Sequence, residues 1–114
     1  MAYKNERVNN IEIICPMNEI DAITGNEIKN HISKLTDVIG IIINFNKVNY
    51  LNSSGLRELI QSLRILKDKN IPMALCNLSD NITKIFTNTN LHKLFDIFNS
   101  ENDAIKHLQE KHSV

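Results

Sequence analysis

The stretch "IGIIINFNKVNYLNSSGLRELIQSL", Ile39 to Leu63, decides the fold. It opens on Ile39–Phe45, a run of strand length that is apolar but for Asn44 and lacks the polar alternation of a half-exposed strand. Such a run predicts a central strand buried on both faces. The stretch closes on Leu56, Leu59, Ile60 and Leu63, continued by Leu66, all at helical spacing. Arg57, Glu58, Gln61, Arg64 and Lys67 fall on the other side, so this is an amphipathic helix whose stripe is core.

Working outward, the chain repeats this alternation. "NIEIICPM" reads as a strand over Ile11–Met17, with an edge strand over Tyr3–Val8 joined to it through the turn pair Asn9-Asn10. Ile28, Ile32 and Leu35 predict a helix over Ala22–Leu35, with Gly25 weakening its first turn. "MALC" is a short buried strand at Met73–Cys76, and a short helix follows with Ser79 as its N-cap and Ile82, Ile85 and Phe86 inward. A last strand, Leu94–Phe98, precedes a helix opened by Ser100 and Asp103, with Ala104, Ile105 and Leu108 on its apolar side. The predicted class is α/β: one mixed sheet with helices packed on it, in the order β-β-α-β-α-β-α-β-α, as a single domain over residues 1–114.

Composition excludes several functions. Thirteen basic and thirteen acidic residues give zero net charge, and no basic stripe with interleaved aromatics occurs, so nucleic-acid binding is not expected. No apolar stretch approaches the roughly 20 residues needed to cross a bilayer, and "MAYKNERVNN" has no apolar signal core. Cys15 and Cys76 lie in apolar runs without metal-ligand spacing and read as buried thiols of a cytoplasmic protein. His31, His92, His107 and His112 share no metal-binding spacing and read as surface polar residues. No G-x-S-x-G elbow or phosphate loop is present, so neither an enzyme nor a bound cofactor is expected.

The junction "NSSG", Asn52 to Gly55, carries the functional question. Asn52 or Ser53 is an ordinary helix cap. A serine at a helix start is also displayed beside unpartnered amides with partial positive charge, where a phosphate is tolerated without disturbing the fold. The residues alone leave both readings open.

Three blocks in order resemble the STAS domain, and in particular the single-domain bacterial anti-sigma factor antagonists. They are "NEIDAITGNEI" with Glu19, Ile20 and Asp21, then "IIINFNKVNYLNSSGLREL", then "IPMALCNLSDNITKIFTNTNLHKLFDIFNSENDAI". The resemblance covers about Ile11 to Leu108. It implies a partner switch: the unphosphorylated protein binds an anti-sigma factor that is a GHKL-type serine kinase and so releases a sigma factor. Phosphorylation of Ser53 ends the complex, and a PPM-type phosphatase resets it. The partner-binding surface so implied comprises Asp21, Asn52, Ser53, Ser54, Gly55 and Arg57. A second member of the family, the STAS accessory subunit of an ABC-type lipid transport system, implies docking on an ATPase with no phosphorylation cycle.

The sequence departs from the family pattern at four positions. Asn52 stands for the aspartate before the acceptor serine and keeps its hydrogen-bonding shape without the charge. Asn18 and Asn90 stand for glycines, and asparagine is the residue that best tolerates left-handed backbone after glycine. Arg57 stands where a glycine often follows the leucine, adding bulk and charge to the implied partner surface.

Overall fold

A computed structural model describes residues 2–113. Its elements are β1 (Tyr3–Val8), β2 (Ile11–Pro16), β3 (Asn18–Ile20), α1 (Ala22–Ser33), β4 (Gly40–Asn44), β5 (Val48–Leu51), α2 (Ser53–Asp68), β6 (Met73–Cys76), α3 (Asp80–Asn88), a 3-10 turn (Leu91–Lys93), β7 (Asp96–Phe98) and α4 (Glu101–Ser113). The main sheet runs β1-β2-β4-β6-β7. β1 is antiparallel to β2, and every other pair in it is parallel. The expected α/β alternation therefore stands.

β4 is central and every one of its residues is buried. Alternation divides it between two cores: Ile41 and Ile43 join the cluster under α1, α2 and α3, while Ile42 joins the one under α4. Met73 and Leu75 of β6 point the first way, Ala74 and Cys76 the second. On the α4 side the sheet offers small residues: a Cβ on Gly40 would come within 2.9 Å of Leu108, so α4 seats closely there. On the other side Phe86 stands edge-on between Phe45 (6.2 Å) and Phe95 (5.6 Å), fixing α3 and the 3-10 turn to the sheet.

Two short strands go beyond the expected order. "NEI" and "VNYL" form β3 and β5, a separate parallel pair outside the main sheet. β2 ends at Pro16, one residue early, because Met17 leads into β3. α1 stops at Ser33 with Lys34 as its C-cap. β7 begins at Asp96, because Leu94 and Phe95 still donate to the carbonyl of Leu91 and close the 3-10 turn. Ser79 caps α3 as expected, accepting from the Ile82 amide, and the Asp103 amide donates to Ser100. Asn9 and Asn10 both take positive φ (52° and 65°), the primed turn that matches strand twist.

Two histidines are not the surface residues expected. The Glu12 carboxylate is buried under α1 and accepts from Arg7 Nε (2.9 Å) and Asn5 Nδ2 (3.0 Å), with His31 Nε2 at 2.6 Å. His31 also meets the Tyr3 ring edge-on. His107 packs on Phe98, its Nε2 shielded from water and 3.5 Å from Asp96. Of the two cysteines, Cys76 is buried and Cys15 half-buried; both are free, and burial raises the Cys76 thiol to about 12.

Glu12 generates a stability prediction. Burial alone would raise its pKa, but the contacts from His31, Arg7 and Asn5 outweigh that and hold it below the ordinary 4.5. The folded chain thus binds this proton more weakly than the unfolded one. The contribution is present above pH 4.5 and is lost as pH falls below it. Glu12→Gln is expected to cost about 1–3 kcal/mol at neutral pH and to flatten the acid side of the stability curve. Urea unfolding at neutral pH and at about pH 3.5 checks this, and an unchanged pH dependence in the variant would refute it.

Candidate functional site

β3 and β5 are short, but because they run parallel they deliver the chain to two helix starts side by side. β3 ends at Ile20 and passes through Asp21 into α1; β5 ends at Leu51 and passes through Asn52 into α2. Both junctions use the same device. Asp21, in extended backbone, accepts the Thr24 amide at 2.9 Å; Asn52, also extended, accepts the Gly55 amide at 2.7 Å. Each satisfies one of the amides that the first turn of a helix leaves unpaired.

The two starts are also in direct contact. The Asn52 amide donates to the Ile20 carbonyl at 3.3 Å. A Cβ on Gly55 would stand 2.1 Å from that same carbonyl oxygen and 3.1 Å from the Asp21 Cα. One turn further in, Gly25 lies where a Cβ would come within 2.7 Å of the Glu58 Cβ. The residue expected to weaken the first turn of α1 is therefore what lets α1 and α2 touch. Below it Glu58 clamps the pair, accepting from Asn26 at 3.1 Å and standing 3.2 Å from Lys29 Nζ, and Lys29 also donates to Gln61 at 2.7 Å.

The sequence-expected site residues fall around this contact. Ser53 is the first residue of α2 and exposed; Ser54, the second, is half-buried. Asp21 and Asn52 are half-buried and Gly55 is buried. Arg57 is exposed one turn beyond Ser53. The hydrogen bond from the Thr24 amide, with smaller local contributions, holds the Asp21 carboxyl below the usual carboxylate range, so it is charged at neutral pH. The charged cap belongs to α1, and the cap beside the serines is neutral.

Two residues escaped the sequence reading. Ile23, in the first turn of α1, is 71% exposed, and Tyr50, three residues before Ser53, is 53% exposed. Tyr50 pairs across β3–β5 with Glu19. These large apolar side chains flank the two helix starts, whereas Leu94, the third exposed one among the described residues, follows the 3-10 turn. Ile23 has a signal in the sequence, since it falls off the stripe of Ile28 and Ile32; Tyr50 has none beyond its alternation with buried Leu51.

Among the described residues, no group of three or more His, Cys, Asp or Glu side chains is placed to hold a metal ion. A surface hollow of about 760 Å³ lies elsewhere, where Ile39, Ile71 and Pro72 lead into β4 and β6.

Residues 2–104 match the STAS domain family. The chain belongs to that family. It is 29% identical over 87 residues to the anti-sigma-B factor antagonist of Listeria monocytogenes, covering 75% of this chain and 76% of that protein. Among solved structures it is similar to the anti-sigma factor antagonist SpoIIAA in its unphosphorylated form, with TM-score 0.74, 24% identity and coverage of 95% of this chain and 98% of that one. The phosphorylated form of SpoIIAA, the Bacillus cell fate determinant, gives TM-score 0.73 at 25% identity, covering 94% and 99%. A sulfate transporter family protein from Wolinella succinogenes shares the fold at TM-score 0.85 with 11% identity, covering 96% and 93%. The fold is thus shared by proteins that bear different names, and the discriminating chemistry lies in the site.

Gly55 and Asn52 separate two kinds of dependence in this STAS domain. Gly55→Ala is expected to push the helix starts apart and cost about 1–3 kcal/mol or more. Asn52→Ala removes only a cap, at about 1 kcal/mol, and Asn52→Asp is expected to be near neutral. Urea midpoints with amide NMR spectra check the order; a Gly55→Ala spectrum unshifted around residues 20–25 would contradict the contact.

Proposed function

We propose that this STAS domain is an anti-sigma factor antagonist switched at Ser53, in a cytoplasmic binding module of 114 residues. The observation that carries the reading is the placement of Ser53: an exposed hydroxyl on the first residue of α2, with the adjacent cap already served by Asn52. A modification there disturbs no packed side chain. In the proposed cycle the anti-sigma factor, a GHKL-type serine kinase, uses ATP. Ser53 Oγ loses its proton, forms a bond to the γ-phosphorus, and ADP departs. A PPM-type phosphatase hydrolyses that ester and returns the hydroxyl and free phosphate.

The unphosphorylated form binds through the end of the molecule where the two helices start. Tyr50 and Ile23 supply apolar anchors on either flank, and Asp21, Ser54 and Arg57 supply the polar surface. A neutral hydroxyl is cheap to desolvate against a partner, whereas a phosphate carrying about −1.5 to −2 charges is not. A loss of about 3 kcal/mol weakens binding by about two orders of magnitude, enough to release the partner.

Affinity capture from the native lysate tests the proposal, using the wild-type, Ser53→Asp and Tyr50→Ala proteins as baits with mass-spectrometric identification. A GHKL-type kinase is expected on wild type and is expected to be lost with either substitution. An ABC-transporter ATPase held equally by wild type and Ser53→Asp would overturn the switch and favour constitutive docking.

A further inference from the structure

Arg57 is exposed and, among the described residues, makes no ion pair, although the neighbouring Glu58 carboxyl feels its charge. Among the described residues, the ion pairs involve Arg7, Lys29, His31 and His107, and no carboxylate lies within pairing distance of the Arg57 guanidinium. Its sequence neighbour Glu58 is taken by Lys29 and Asn26. Arg57 stands four residues after Ser53 in the unbroken helix α2, and both positions are exposed. Residues so spaced sit on one face with Cβ atoms about 5–6 Å apart. Helical side chains lean toward the N-terminus, so a long side chain at position 57 covers the surface around position 53.

From this spacing we infer that Arg57 is the internal counter-ion of a phosphate on Ser53. The inference rests on Ser53 being the modified residue and adds how the modified state is held. Guanidinium presents a planar fork of donors that matches two phosphate oxygens, which a lysine at the same place does not. The remaining charges around Ser53 define the competition. Glu19 and Asp21, on the β3 side, and Glu58, next to Arg57 on α2, oppose a phosphate; Lys29 is committed to Glu58; Asn52, the immediate neighbour, is neutral. Of these described groups, Arg57 is the cation that no ion pair holds, and it can turn toward the phosphate. With the pair formed, part of the new charge is neutralised within the chain. What a partner meets is a bulky, paired phosphate where it had met a small hydroxyl and an unpaired arginine.

The test needs neither kinase nor partner. Phosphoserine is installed at position 53 during translation, in the otherwise native chain and in Arg57→Gln and Arg57→Lys backgrounds, and the phosphate is titrated by ³¹P NMR. A nearby cation favours the dianion, so the second phosphate ionisation, ordinarily near about 6, is expected to lie lower in the otherwise native chain than in the Arg57→Gln background. The expected difference is about 0.3 pH unit or more at low salt, with Arg57→Lys in between and the difference collapsing at about 1 M salt. Superimposable titrations of the native and Arg57→Gln proteins at low salt would overturn the pairing. That result would leave the proposed switch standing. Conversely, a failed capture experiment would remove the switch and leave the measured pair intact.

Discussion

The site exists because position 55 has no side chain. With a Cβ 2.1 Å from the Ile20 carbonyl oxygen, α2 could not begin where it does, and the Asn52 amide could not reach that same carbonyl. Everything displayed at this end of the molecule follows from that approach. Asp21 and Asn52 come side by side because their helices do, and Ser53 faces outward because Gly55, two residues on, faces inward. The Gly25–Glu58 contact continues the approach one turn further, and the clamp of Asn26, Lys29 and Glu58 fixes the helices in register. Backbone contact thus holds this surface at constant shape.

The main sheet supplies the platform for that contact. β4 is buried on both faces and carries alternate isoleucines into two separate cores, so neither helix layer can shift without exposing one of them. β3 and β5 are too short to add much cohesion themselves. Their service is positional, since a parallel pair necessarily points both C-terminal ends, and hence both following helices, the same way.

What could be read from the sequence divides along physical lines. The central strand, the α2 stripe and the caps of α3 and α4 were legible because each is a local pattern of period or of cap chemistry. β3 and β5 were not: one has three residues with a register shift between Asn18 and Glu19, the other four, and neither is long enough for alternation to stand out. The Glu12–His31 contact spans nineteen residues of sequence and three-dimensional packing alone creates it. At the site, the junction and its residues were visible as a motif, while Ile23 and Tyr50 were not. In a chain with eighteen isoleucines, one turned outward is not marked by its identity. Its position off the stripe of Ile28 and Ile32 is the one sign the sequence carries.

Glycine and asparagine divide their usual work in this chain. Asn9, Asn10, Asn18, Asn70, Asn77 and Asn90 all take positive φ, at 52° to 71°, while none of the three glycines does. Asn70 ends α2 in the usual left-handed turn, with its own amide bonded to Lys67 and that of Ile71 bonded to Leu66. Glycine is thereby kept for close approach at positions 25, 40 and 55, where asparagine would not fit. The same logic bears on Asn52. Asparagine and aspartate cap a helix about equally well, so the geometry at Gly55 is indifferent to which one is present. The difference between them is one negative charge beside Ser53. A neutral cap therefore leaves the helix start unchanged while removing one negative charge, and with it one repulsion that any anion at that position would meet.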